Sequence, residues 1–224
     1  MIFATISTPH TSPQPVLVSN RRVYPLPFAD MQAVIETGAQ KSASRASKES
    51  YAIDEVKFHT PLQPTSLRDA YAFEQHIKTA SQNRGRDVPE AWYKFPVFYY
   101  TNPHSIFGSG DEIPYPHYTN ALDFELEVAV VIGKAGINIK PENAHEHIFG
   151  YIIFNDWSAR DVQQIEMKLG LGPAKGKDFA SSLGPVIVTL ELTKTQDPWL
   201  KVGDVVELEI ERIGVLKNII GGKI

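Results

Sequence analysis

Leu122-Asp123-Phe124-Glu125-Leu126-Glu127-Val128-Ala129-Val130-Val131-Ile132-Gly133 alternates apolar and acidic residues up to Val128 and is purely apolar from there to Ile132. As a strand it sets Leu122, Phe124, Leu126 and Val128 on one face and Asp123, Glu125 and Glu127 on the other, because successive side chains point to opposite faces. The apolar continuation predicts a strand that runs into a core. Neighbouring carboxylates at the mouth of a core repel, so the ladder calls for a counter-charge. Taken alone, the pattern is better explained as the solvated face of a half-exposed strand. Val206-Glu207-Leu208-Glu209-Ile210-Glu211 repeats it near the C-terminus, and the pattern does not choose between the two.

The chain of 224 residues is long enough to bury a core without staples. A formal net charge of −4 and no basic run argue against nucleic acid or an anionic membrane as partner. The absence of cysteine excludes thiolate catalysis and zinc-thiolate sites and points to the cytoplasm, leaving oxygen or imidazole as metal ligands. No apolar run approaches the ~20 residues of a bilayer span, so a soluble protein is expected.

Outward from the ladder, Phe3 to Tyr24 reads as short strands broken by Pro13, Pro15 and a Ser19-Asn20 turn, and Met31 to Thr37 has helical spacing. A polar link from Gln40 to Ser50 precedes a strand candidate, Ile53 to Phe58. A boundary near residue 65 divides a small N-terminal domain, 1–65, from a catalytic domain, 66–224. Ser66-Leu67-Arg68-Asp69 reads as a capping box opening a helix from Leu67 to about Asn83, which puts Asp69 and His76 on one helical face. Phe95 to Tyr100 is extended, Ala144 to Gly150 a helical turn, and Tyr151 to Phe154 a buried strand ending at Asn155-Asp156. Ser158 is placed as N-cap of a helix carrying Arg160, Asp161 and Gln163. Leu169 to Lys177 is expected to be a mobile glycine-rich loop, with strands at Pro185 to Leu192 and Val205 to Ile210 and a closing β-segment at Gly214 to Leu216.

Glu125, Glu127 and Asp156 are candidate ligands, and a carboxylate set suits Mg²⁺ or Ca²⁺ better than zinc. His145 and His147 diverge on a helix and are set aside. His76 is a candidate base and Lys177 a candidate stabiliser of an oxyanion or enolate. Each has an ordinary reading as a surface side chain.

Together these segments carry more. Asn155-Asp156-Trp157-Ser158-Ala159-Arg160-Asp161-Val162-Gln163, preceded by Ala144-His145-Glu146-His147-Ile148-Phe149-Gly150, resembles the signature of the fumarylacetoacetate hydrolase family. Leu122 to Glu127 is similar to its Glu-x-Glu strand, Gly176-Lys177-Asp178-Phe179 to its lysine loop, and Arg68 to His76 to its aspartate-histidine segment. The resemblance implies an α+β fold, with a small N-terminal domain and a mixed β-sandwich roll, usually a homodimer. It implies Mg²⁺ (or Ca²⁺, Mn²⁺) held by Asp69, Glu125, Glu127 and Asp156, with His76 as general base. Tyr99, Gln163 and Lys177 would contact a small 2-oxo or β-diketo acid, whose C–C bond is hydrolysed. Family relatives also include isomerases, decarboxylases and dehydratases of 2-oxo acids. Two departures stand out. Met167 occupies a position where the family has a substrate tyrosine. Only a few residues join the strand ending at Leu192 to the tail from Pro198, where the family has a long stretch of core, which leaves open a truncated, non-catalytic member.

Overall fold

The computed structural model describes residues 1–83, 85–188, 205–210 and 214–223. The chain opens with β1 (Ile2–Ser7), β2 (Gln14–Ser19) and β3 (Arg22–Pro25). Ser19 pairs with Arg22, so Asn20 and Arg21 form a two-residue turn with φ of 50° and 58°. Such a left-handed pair matches the twist of a hairpin, and Asn tolerates it well. Next come α1 (Met31–Thr37), as expected, with Asp30 accepting from the Ala33 amide, and α2 (Ala39–Ala43) inside the expected link. Then follow β4 (Tyr51–Ala52) and β5 (Lys57–Phe58); the anticipated strand from Ile53 begins as a 3₁₀ turn.

The first correction lies in the next segment. Leu67–Ala70 is a strand, β6, antiparallel to β7 (Phe98–Thr101), and α3 runs only from Glu74 to Asn83. Pairing with β7, reinforced by the Arg68 guanidinium stacked 4.7 Å over the Tyr100 ring, overrides the local capping pattern. Asp69 and His76 therefore share no helical face. After β8 (Ile106–Phe107) and β9 (Glu112–Tyr115), the acidic ladder divides into β10 (Leu122–Asp123) and β11 (Leu126–Ile132). Then come β12 (Ile148–Asp156), β13 (Ser158–Ala159), α4 (Arg160–Leu169) and β14 (Ser181–Val188). Ser158 belongs to β13, opposite Asp123, and its hydroxyl donates to the Asp156 carbonyl, so it does not cap α4. A final hairpin pairs β15 (Val205–Ile210) with β16 (Gly214–Lys223).

The central sheet runs β11-β12-β14-β1-β2-β3-β4, with β5 beside β1 and β8 beside β14. The boundary expected near residue 65 falls in the loop between β5 and β6, and strands from both sides of it, β1 and β14, are hydrogen-bonded neighbours. Both faces of this sheet are covered: along β12, Ile152 packs into one cluster with Phe3, Val34 and Ile187, and Ile153 into the other with Ala4, Ile6 and Leu122. That double burial explains the unbroken apolar run of Tyr151 to Phe154. β11, in contrast, ends the strand order, and Val130 and Ile132 are exposed. The ladder therefore starts in the core, at fully buried Leu122, and runs out to the surface, the reverse of the expected direction. No helix among the described residues is long and apolar enough to cross a membrane. The end of the strand at Leu192 and the shortened connection to Pro198 lie outside the described residues.

Candidate active site

The site forms where the ladder changes sheets. Asp123 pairs with Ser158, Leu126 pairs with Asn155, and Glu125 sits between these two pairings. Asn155 fixes the switch: its Oδ1 accepts from the Glu125 amide at 3.0 Å, and the Asp156 amide donates to the Glu125 carbonyl at 3.2 Å. Opposite, β6 presents Asp69 directly across from Tyr99. Carboxylate oxygens of Asp69, Glu125 and Glu127 all lie within 4.8 Å of one another.

Two cations thread this cluster. The Lys177 ammonium, 2% exposed, lies 2.6 Å from Glu125 Oε2 and 2.6 Å from Asp156 Oδ2. Arg160 donates to Asp123 Oδ2 at 2.6 Å, to Glu125 Oε1 at 2.5 Å and to Gln163 Oε1 at 3.1 Å. Burial pushes Glu125 up, but Lys177 and Arg160 outweigh it and hold the carboxyl below its usual range. For Lys177 burial favours the neutral form, yet Asp156 and Glu125 prevail and keep it protonated. Glu127 has neither partner; burial, with Asp69 and Glu125 adding to it, pushes it up to about 7. Burial likewise raises Asp156 to about 7, against the opposing pull of Lys177. The Tyr99 hydroxyl donates to Asp69 Oδ2 at 2.8 Å and also meets Asp156 Oδ2. One hydroxyl proton cannot serve both oxygens, so the cluster is short of positive charge.

These features fit a hard divalent cation. Such ions take several carboxylate oxygens at once, three carboxylates converge, and two of the site's carboxyls are pushed towards their neutral forms. The second oxygen of fully buried Asp156, Oδ1, has no hydrogen-bond partner. Asp69, Glu125 and Glu127 form the convergent set, while Asp156 has only Oδ1 left to offer.

The loop bearing Lys177 is pinned rather than mobile. Glu166, on α4, accepts from the amides of Ala174 at 3.0 Å and Gly176 at 3.2 Å. The Ala159 amide donates to the Gly176 carbonyl at 2.8 Å. A Cβ on Gly176 would stand 2.9 Å from the Gln163 backbone nitrogen, so only glycine lets the loop lie this close to α4. Of the expected residues, the structure gathers Asp69, Tyr99, Glu125, Glu127, Asp156 and Lys177, with Gln163 joined through Arg160. His76 stands exposed on α3, its ring edge-on to Tyr71 at 4.9 Å. Sequence reasoning did not assign Arg160, Asp123, Asn155 or Glu166; the one signal available was the ladder's need for counter-charge, which Arg160 and Lys177 partly answer.

Residues 65–197 match the model of the fumarylacetoacetate hydrolase C-terminal region. The chain belongs to the fumarylacetoacetate hydrolase family. It is 33% identical over 174 residues to an oxaloacetate tautomerase of Bacillus subtilis, covering 76% of this chain and 55% of the relative. It is 34% identical over 164 residues to the fumarylacetoacetase of Arabidopsis thaliana, covering 64% and 39%. The chain thus spans about half or less of the length of these curated relatives. Among solved structures it resembles a fumarylacetoacetate hydrolase from Exiguobacterium antarcticum, with TM-score 0.75, 22% identity and full coverage of both chains. A 5-carboxymethyl-2-hydroxymuconate delta-isomerase from Mycobacterium smegmatis matches at TM-score 0.75 and 21% identity, again over both whole chains. The family's α+β fold is thereby shown.

Proposed function

We propose that the protein is a metal-dependent enzyme acting on small 2-oxo or β-diketo acids, and that it hydrolyses a C–C bond in a substrate of the fumarylacetoacetate or acylpyruvate type. The observation that carries this reading is Lys177: a buried, protonated ammonium fixed between Glu125 and Asp156, beside the three convergent carboxylates. A divalent cation, Mg²⁺ (or Ca²⁺, Mn²⁺), held by Asp69, Glu125, Glu127 and Asp156 Oδ1 would supply Lewis acidity that polarises the substrate carbonyl. Lys177 is a preorganised positive charge for the oxygen that becomes anionic. Arg160 occupies Gln163 Oε1, which leaves the amide NH₂ of that side chain as the donor available to substrate. Tyr99 spends its proton on the carboxylates, so it orients ligands as well as touching substrate. His76 takes a proton from water as the water oxygen adds to the carbonyl carbon; the C–C bond then breaks and its electron pair leaves as an enolate, which is reprotonated at carbon.

A second reading, tautomerisation or isomerisation, moves a proton between carbon and oxygen with no water added. The match of the B. subtilis oxaloacetate tautomerase to 76% of this chain favours it. Proton NMR of purified protein with Mg²⁺ over acylpyruvates, fumarylacetoacetate and oxaloacetate separates the two: hydrolysis gives two acids, tautomerisation only keto–enol exchange. His76→Ala should lower turnover at least ~100-fold, the usual scale of a lost general base. Unchanged turnover removes His76 from the mechanism, and turnover that survives complete chelation removes the metal. No turnover of any substrate, with Mg²⁺ still bound, leaves the non-catalytic reading. A homodimer, proposed from the family resemblance, would appear by light scattering at twice the monomer mass.

A further inference from the structure

The chain that leads to Lys177, Gly170-Leu171-Gly172-Pro173-Ala174-Lys175-Gly176, has three glycines in seven residues, so ordering its backbone costs more entropy than ordinary chain does. One side chain of α4 meets that cost. Glu166 Oε2 accepts from the Ala174 amide at 3.0 Å and from the Gly176 amide at 3.2 Å, and Oε1 shares the second donor. The Ala174 carbonyl accepts in turn from the Lys177 and Asp178 amides, both at 2.9 Å, so the backbone bonded to Glu166 is bonded to that of Lys177. The stem lies close as well: a Cβ on Gly172 would stand 3.0 Å from Glu166 Cβ. The Lys177 ammonium has its own ties, to Glu125 and Asp156. Those carboxylates belong to the proposed cation site, and a carboxylate shared with a cation attracts an ammonium less. Glu166 bonds to backbone amides instead, so its hold does not vary with what the site binds.

We infer that Glu166 is a positioning residue: its carboxylate fixes the 174–176 turn to α4 and so holds the Lys177 ammonium at the substrate oxygen that becomes anionic. The inference rests on the function proposed above, and Glu166 acts through Lys177 rather than on substrate. Because α4 begins at Arg160, which donates to Glu125, the same contact sets the two cations of the site at a fixed spacing.

Glu166→Met keeps a stem of similar size and removes both acceptor oxygens. Glu166→Gln removes the charge but keeps one oxygen, which can accept from both amides as Oε2 does. Hydrogen exchange of the full chain in saturating Mg²⁺, followed by mass spectrometry, compares a peptide containing Ala174 and Gly176 with one from β12. Steady-state kinetics use whichever of oxaloacetate and acetylpyruvate the wild type turns over. In the methionine variant the loop peptide should exchange at least about tenfold faster while β12 is unchanged. Its kcat should fall about tenfold or more with KM within about twofold, because a displaced charge withholds stabilisation from the transition state rather than from bound substrate. The glutamine variant should stay within about threefold of wild type in both measurements, since both hydrogen bonds survive. A methionine variant with wild-type kcat, or with raised KM and unchanged kcat, overturns the inference. So does slower turnover without faster loop exchange, or a glutamine variant as slow as methionine. A β12 peptide that exchanges as fast as the loop also overturns it, by making Glu166 a residue of the fold at large. Wild-type protein that turns over neither substrate overturns the functional reading itself, which is a different result from equal kcat in wild type and variant.

Discussion

Lys177→Met tests the electrostatic account of the site most directly. The ammonium is 2% exposed and lies 2.6 Å from each of two carboxylate oxygens. At an effective dielectric of ~20, each contact is on the order of 6 kcal/mol of gross attraction, much of which offsets the desolvation of the charges involved. Methionine fills similar space but leaves Glu125 and Asp156 buried beside one another without their shared cation. Removing one partner of such a pair destabilises proteins by about 3–5 kcal/mol, and that loss is expected here without metal. A cation bound only by the folded state stabilises it by about 2.7 kcal/mol at a hundredfold excess over Kd. The variant site is one charge more negative and binds the ion more tightly, so the gap between variant and wild type should narrow in Mg²⁺. Urea unfolding followed by circular dichroism, in EDTA and in Mg²⁺, measures both quantities. A loss below ~1 kcal/mol in EDTA, or a gap that widens in Mg²⁺, refutes the reasoning.

Two further outcomes follow from the same frame. Gly176→Ala sets a Cβ 2.9 Å from the Gln163 nitrogen and 3.1 Å from its Cα, both backbone atoms that cannot swing aside, so a loss of about 1–3 kcal/mol is expected; an unchanged melting temperature would show that loop and helix part easily. Asp161 is pushed up by burial, but the Asn120 amide and the Thr119 hydroxyl outweigh this and hold it below the usual aspartate range. A depressed carboxyl stabilises the fold above its unfolded pKa, and that contribution is lost as pH falls through the folded value. Asp161→Asn should therefore be less stable than wild type at pH 6, with the difference shrinking as the pH falls from ~4 towards 2; a difference constant over that range contradicts the assignment.

What could be read from the sequence was set by how local its physics is. The alternation from Leu122 to Val128 gave the correct face for the four apolar residues, all of which join one cluster, because period-two burial is a property of the strand itself. The direction of that strand through the fold was not legible, since the edge position of β11 depends on β12, β14 and β1 lying to one side. Likewise Ser66 to Asp69 satisfies a capping pattern locally, and only the partner strand, some thirty residues on, makes Leu67–Ala70 extended. The glycine-rich stretch before Lys177 suggested mobility because composition is silent about Glu166, whose carboxylate binds two of its amides. Glu125, Glu127, Asp156 and Lys177 are candidates from their own chemistry, and the family resemblance adds Asp69 and joins them into one site; Arg160, which touches Asp123, Glu125 and Gln163 at once, lies inside the same motif without an assigned role.

The two Glu-x-Glu ladders show why pattern alone could not choose between them. In the C-terminal ladder, Lys217 takes the register position across from Glu207, so a cross-strand opposite charge is encoded within the hairpin that carries it. Across from Glu127 stands Phe154, and across from Leu126 stands Asn155, neither of which can neutralise a carboxylate. The first ladder must draw its cations from elsewhere in the chain, from Arg160 at the start of α4 and from Lys177 in the loop that α4 pins. Those two face five carboxylates, Asp69, Asp123, Glu125, Glu127 and Asp156. The first ladder, broken between two sheets, has no basic residue at its own cross-strand positions, and the deficit collects at Glu127 and at the orphan oxygen of Asp156. That uncompensated charge, rather than the spacing of the glutamates, sets this ladder apart and supports the cation proposed for it.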